Sequence, residues 1–152
     1  YIMRRDGLSF DEMDAILNKE SGILGISGIS SDMRTVLQAA EAGDENAELA
    51  VDMYVYKVQK AIGSFYAAMT RTDAVVMTAG IGENSAELRE LIFAGLAHMG
   101  MILDKEKNHV VGAIGTNRIV SIDDSPIKIC VVTTDEEMRI ARETDNLVSQ
   151  LG

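Results

Sequence analysis

The sequence predicts an α/β fold, and three observations carry that prediction. A short continuous apolar run, Asp73-Ala74-Val75-Val76-Met77-Thr78, has the β-branched content of a buried strand. It passes directly into Ala79-Gly80-Ile81-Gly82-Glu83-Asn84-Ser85, behind which Leu88, Leu91, Ile92 and Leu96 recur at helical spacing. Further strand-like runs at 101–103, 118–122 and 127–132 are mixed with helical patterns, with no internal repeat.

Taken in order, Tyr1-Ile2-Met3-Arg4-Arg5-Asp6-Gly7 reads as the last turns of a helix closed by glycine, so the chain is expected to be a piece of a longer protein. Residues 1–20 read as a truncated helical lead-in. Ser9, with Glu12 three residues on, has the capping-box pattern for a helix whose apolar face is Phe10, Met13, Ile16 and Leu17 and which ends near Asn18 or Lys19. From Ser21 to Ser31, three glycines and four serines interrupt an Ile/Leu pattern, which predicts an ordered loop. Ser30 or Ser31 is expected to cap the next helix, which runs to about Glu41 and is stopped by Gly43.

Asp44 opens the longest pattern, Ala47, Val51, Tyr54, Val58, Ile62, Phe65 and Met69, a helix of roughly 40 Å. A second apolar line, Ala50, Met53, Ala61 and Ala68, predicts contact with more than one layer or with a second subunit. The strand at 73–78 is expected to be buried on both faces. Asn84 with Glu87 reads as a capping box for the following helix, which Gly100 closes. Asp123-Asp124-Ser125-Pro126 is a turn between two strands, and a final helix starts after Thr133 or Thr134, each three residues before a Glu, and runs through Met138, Ala141 and Val148.

The 152 residues, 47% hydrophobic and 25% charged, suffice for one domain spanning 1–152 with its own core. With 14 Lys+Arg against 24 Asp+Glu, the formal charge of -10 repels phosphate backbones and anionic lipid, so neither nucleic acid nor a membrane is an expected partner. No apolar stretch approaches the roughly 20 residues of a membrane helix and no signal-peptide pattern is present, which points to the cytoplasm. Cys130, inside the run Ile127–Val132, reads as a small core side chain. His98 beside Gly100 reads as a partner for a helix C-terminus, and His109 as a loop residue.

The junction at 78–85 is the strongest candidate for chemistry. A strand, a glycine-rich turn and a helix start present backbone N–H groups to an anion, and Gly80 and Gly82 have no Cβ to hinder close approach. The spacing is neither the dinucleotide fingerprint nor a P-loop, so by itself it fits a phosphate site or a merely tight turn. By themselves, Asp32 and Arg34 read as first-turn helix residues and Glu136 as a cap or dipole residue.

Three ordered stretches decide between these readings. They are Ser21-Gly22-Ile23-Leu24-Gly25-Ile26-Ser27-Gly28-Ile29-Ser30-Ser31-Asp32-Met33-Arg34, then Thr78-Ala79-Gly80-Ile81-Gly82-Glu83-Asn84-Ser85, then Thr134-Asp135-Glu136-Glu137. With their surroundings (21–43, 73–92 and 127–142) they closely resemble the C-terminal half of acetate kinase, the family that moves a phosphoryl group between ATP and a short-chain carboxylate. The resemblance implies an actin-like, ribonuclease-H-like half domain of the superfamily of acetate and sugar kinases, heat-shock chaperones and actin, with its N-terminal domain absent. It implies that Asp32, Met33 and Arg34 contact adenosine, that Gly80, Ile81, Gly82, Glu83 and Asn84 form the nucleotide loop, and that Glu136, with its neighbour Glu137 as the second choice, associates with Mg²⁺. Met33 departs from the Phe of some relatives but keeps an apolar contact. The implied ligands are ATP or ADP with Mg²⁺, and the implied assembly is a homodimer. The family's carboxylate site and charge-stabilising groups fall in the absent half, so no catalytic residue is expected in this chain and the fragment alone is expected to be inactive. A propionate or butyrate kinase half fits the same motifs, and a non-catalytic actin-like dimerisation module is the rival from another class.

Overall fold

The computed structural model describes residues 1–110 and 116–151. They form two compact units, Tyr1–Ala61 and Ile62–Gly152, which divide inside one long helix.

In the first unit, α1 (Ile2–Asp6) is closed by Gly7 at φ +69°. The capping box expected at the start of α2 (Phe10–Ala15) is formed, with Glu12 N donating to Ser9 Oγ and Ser9 N donating to Glu12 Oε2. The helix continues as a π-helical segment, Ile16–Glu20. Its expected apolar face is only half covered, since Phe10 and Leu17 are exposed.

The serine- and glycine-rich stretch contains a helix, α3 (Gly22–Ser27), where the composition predicts a loop. The glycines stand where this short helix needs them. Gly22 and Gly28 hold its two ends at positive φ, and a Cβ on Gly25 would lie 3.0 Å from the Glu20 carbonyl oxygen. Asp32, rather than Ser30 or Ser31, caps α4 (Met33–Glu41), because the Ser30 hydroxyl is taken up by the Asp32 N–H. Gly43, at φ +89°, then ends α4, and Asp44 accepts from Ala47 N to start α5 (Glu45–Ala68). Both apolar lines of α5 are buried only near its start, at Ala47, Ala50 and Val51, whereas Met53, Tyr56, Phe65 and Tyr66 are exposed. With Met33 and Val36, the buried start of α5 makes the core of this unit.

The second unit is built on a three-stranded sheet of order β1-β3-β2. β1 (Ala74–Met77) runs parallel to β3 (Lys128–Val131), and β2 (Arg118–Ile119) runs antiparallel to it. β1 does not have two buried faces. It is an edge strand, and Ala74 and Val76 are exposed, Val76 at 54%. The central strand β3 buries Ile129 and Val131, and Cys130 lies half-buried between them.

Between β1 and β2 come α6 (Ala79–Asn84), α7 (Ala86–Ala94), a 3₁₀ turn at Ala97–Met99 closed by Gly100, and α8 (Lys105–His109) capped by Asp104. The strand expected at 101–103 shrinks to one antiparallel bridge, Leu103 with Ser121. Leu88, Ile92 and Phe93 of α7 join Leu96, Met101, Val120, Ile127, Ile129 and Val131 in the core. The final helix, α9 (Glu136–Leu151), leaves Met138, Ile140, Leu147 and Val148 exposed. No described helix is long and apolar enough to cross a membrane.

Candidate functional site

Parallel pairing sets the site. Met77 stands opposite Val131, so the chains leaving β1 and β3 emerge side by side, and Val132 N donates to Met77 O at 2.9 Å. Beyond this point Thr78 is extended and Ala79 adopts φ +58°, the one positive φ of a non-glycine residue among the described residues. A Cβ-bearing residue is strained there by about 1–2 kcal/mol.

The expected glycine-rich loop is the short helix α6, and the two glycines face different surroundings. A Cβ on Gly82 would lie 3.1 Å from the Met77 carbonyl carbon, so Gly82 is buried against the backbone of β1. A Cβ on Gly80 would meet nothing within 4 Å, and that residue is exposed. The open backbone expected at both glycines therefore exists only at Gly80. Ile81 is half-buried between them.

Asn84 is not the cap of the following helix. It is the last residue of α6, where side chains lean toward the helix start, and its Nδ2 donates to Gly80 O at 2.9 Å. Ser85 is extended and takes the capping role, its Oγ accepting from Leu88 N at 3.3 Å.

Glu83 reaches across to the chain leaving β3. Its Oε1 accepts from Thr134 N and from Thr134 Oγ1, each at 2.9 Å. These donors, helped by the Ala79 N–H, hold its carboxyl below the ordinary carboxylate value. Thr134 is thus spent on Glu83, and Asp135 caps α9 by accepting from Met138 N at 3.0 Å. Glu136 begins α9 as an exposed carboxylate two residues past Thr134, close in sequence to the Glu83 tether. Among the described residues no three His, Cys, Asp or Glu side chains gather into a metal cage. A lone exposed carboxylate nevertheless fits Mg²⁺, which keeps several waters and takes one or two protein carboxylates plus phosphate oxygens.

Sequence reasoning missed the support behind the turn. Arg89 is 1% exposed and donates to the carbonyls of Gly82 and Glu83 and to Asn108. The available signal was a charge set among Leu88, Ile92 and Phe93 on the apolar side of α7.

In the first unit, Asp32 and Arg34 are joined by a two-pronged pair, Nη2 to Oδ2 at 2.7 Å and Nε to Oδ1 at 3.2 Å, while Asp32 Oδ1 also accepts from Arg34 N. Each lowers the energy of the other's charged form, so the Asp32 carboxyl falls and the Arg34 guanidinium rises from its ordinary value. Met33, between them, is buried in the core rather than offered as an apolar surface. The His109 ring, expected in a loop, instead ends α8 with Nε2 2.6 Å from Glu90 Oε1, and His98 lies in the 3₁₀ turn before Gly100.

The profile of the acetokinase family matches residues 1–142. The acetate kinase of Thermoanaerobacterium thermosaccharolyticum is 48% identical over 152 residues, covering 99% of this chain and 37% of the relative. That of Shouchella clausii is 47% identical over 149 residues, 98% of this chain and 37% of the relative. The crystal structure of Porphyromonas gingivalis acetate kinase superposes with a TM-score of 0.82 at 37% identity, covering 97% of this chain and 36% of that one. A propionate kinase from Francisella tularensis superposes with a TM-score of 0.81 at 38% identity, covering 94% and 35%. The chain thus spans little more than a third of the length of the relatives it matches. Its mixed α/β architecture is part of the actin-like fold of acetate kinases, and the chain belongs to the acetokinase family.

Proposed function

We propose that this chain is the C-terminal, nucleotide-binding part of a kinase that transfers the γ-phosphoryl group of ATP reversibly to acetate, giving acetyl phosphate. The observation that carries the proposal is the exposed backbone at Gly80, at the C-terminal ends of two parallel strands, on a turn held by Arg89 and Thr134. Open α/β sheets bind ligands at this end of their strands. Gly80, Ile81, Gly82, Glu83 and Asn84 meet the polyphosphate in this reading; of the three residues that the resemblance implies for adenosine, Asp32 and Arg34 keep exposed side chains, whereas Met33 is taken up by the core of the first unit.

Phosphoryl transfer depends mostly on positioning and on neutralising oxygen charge. Glu136 would hold Mg²⁺, which when bound neutralises charge on the phosphate oxygens. The carboxylate site and the remaining charge-stabilising groups belong to residues outside this chain in this reading, so the segment alone does not turn over. The apolar side chains that α5 exposes, Tyr56, Phe65 and Tyr66, support a homodimer.

A propionate kinase is the second reading, favoured by the likeness to the Francisella tularensis structure. Comparing kcat/KM for acetate, propionate and butyrate in the full-length protein decides between them. The nucleotide reading is tested in the same protein by Gly80→Val, which fills the open space beside the backbone. Calorimetric titration should give an affinity for MgADP weakened about tenfold or more, with an unchanged unfolding midpoint. Unchanged affinity would place the nucleotide elsewhere.

A further inference from the structure

Among the described residues, Arg89 is the largest fully buried side chain, and none of its hydrogen-bond partners there is a carboxylate. Burying an ionised group without a counter-ion costs several kcal/mol unless its hydrogen-bonding needs are met. Here carbonyl oxygens meet them. Nη1 donates to Gly82 O at 2.9 Å and to Glu83 O at 3.0 Å, Nε to Asn108 Oδ1 at 2.7 Å, and Nη2 to Asn108 O at 3.0 Å. Asn108 is itself buried and donates Nδ2 to Ala86 O at 2.9 Å. Burial and the nearby Arg118 pull the Arg89 guanidinium below its ordinary value, with Glu87 opposing weakly.

The arrangement answers a need of α6. The last carbonyls of a helix have no partner within it, and Gly82 and Glu83 lie in that last turn. The planar fork of arginine takes both oxygens with one nitrogen while its other nitrogens anchor on α8, a division that a lysine ammonium cannot reproduce. The orientation of the turn is thereby fixed from behind, while Gly80 stays open in front.

We propose that Arg89 is a positioning residue for nucleotide binding: by holding the Gly82 and Glu83 carbonyls against α8, it fixes the backbone from Thr78 to Gly82 in the orientation that receives a polyphosphate. The proposal rests on reading this turn as the nucleotide site. Arg89 itself does not face the ligand, and its buried positive charge sits on the protein side of the turn.

The test uses the full-length protein with Arg89→Lys, which keeps the charge and loses the fork, and Asn108→Ala, which removes one anchor. Arg89→Lys should weaken MgADP binding about tenfold, and Asn108→Ala about threefold, with the KM for the carboxylate unchanged in both. Hydrogen exchange at 79–84 should accelerate in the same order. An Arg89→Lys protein with unaltered nucleotide affinity overturns the proposal. So does one in which nucleotide and carboxylate constants and the unfolding midpoint worsen together, since that is the mark of a purely structural arginine. If Arg89→Lys does not fold, Asn108→Ala decides by the same split. Gly80→Val separates the two readings: normal affinity there removes the nucleotide site itself, whereas weak affinity there beside a normal Arg89→Lys protein removes only the role of Arg89.

Discussion

The turn at Asp32 and the turn at Gly80 carry the two motifs proposed to meet the nucleotide, and they differ in what holds them. Around Asp32 the hydrogen bonds link residues two apart: Asp32 N donates to Ser30 Oγ, and Arg34 donates to the Asp32 carboxylate. The Asp32–Arg34 pair is exposed, with side-chain accessibilities of 44% and 85%, and water screens most of its attraction. Around Gly80 the supports come from afar: Glu83 is tied to a residue 51 positions on, and Arg89 joins the turn to α8. The first turn is specified by its own few residues and exists wherever α4 exists. The second is specified by the sheet, and its geometry is preorganised only after strands and helices have packed.

The largest expected effect breaks the second turn at its contact with β1. Gly82→Val, forced against the Met77 backbone, should destabilise the protein by about 2–3 kcal/mol in urea unfolding, while Gly80→Val leaves the midpoint in place. Equal midpoints for the two variants would erase the distinction between a packed and an open glycine.

Next is the long tether. Thr134→Val removes the hydroxyl held by Glu83 and should both weaken MgADP binding about threefold to fivefold and speed exchange at 79–84, the second of which Asp32→Ala should leave unchanged. The tether is also sensitive to acid. Because the folded protein holds the Glu83 carboxyl below its ordinary value, the stabilisation is complete above the unfolded-state pKa of about 4.3 and is lost as pH falls through the lower folded-state value. Exchange at 79–84 should therefore rise below that pH, and less so in Thr134→Val. An identical acid profile in both proteins would assign the loss to another group.

Asp32→Ala sharpens the comparison from the other side. It removes the cap of α4 and should lower the thermal midpoint by about 2–4 °C, with faster exchange confined to the first turn of α4. The smallest effect is at Ala79. Ala79→Gly relieves the positive φ but adds freedom to the unfolded chain, so a net gain of about 0.5 kcal/mol is expected in chemical denaturation. A loss above about 1 kcal/mol would mean that Ala79 is not strained.

The same division explains what could be read from the sequence. The Ser9 capping box, the stop at Gly43, the cap at Asp44 and the passage from strand to turn at 73–80 are local devices, and all are legible in a few adjacent residues. Composition alone misjudged Gly22–Ser27, because each glycine answers a turn or a neighbouring backbone rather than weakening a helix interior. The caps are Ser85 and Asp135 rather than the neighbouring residues that spacing predicts, because Asn84 and Thr134 are engaged by Gly80 and by Glu83. Which glycine is packed and which is open depends on how α6 lies on β1. The role of Arg89 depends on Asn108, 19 residues away, and no spacing rule connects them.

The parallel pairing of β1 with β3 also imposes an order of events on synthesis. Parallel strands cannot be joined by a tight turn, so β1 must wait for a long crossover before Ala74–Met77 finds Lys128–Val131. Glu83 leaves the ribosome 51 residues ahead of Thr134, an interval of roughly 3–10 s at ordinary elongation rates. During those seconds the nascent chain carries β1 without β3 and a turn without its far anchor. That is the form in which an unpaired strand edge invites a chaperone or a neighbouring nascent chain.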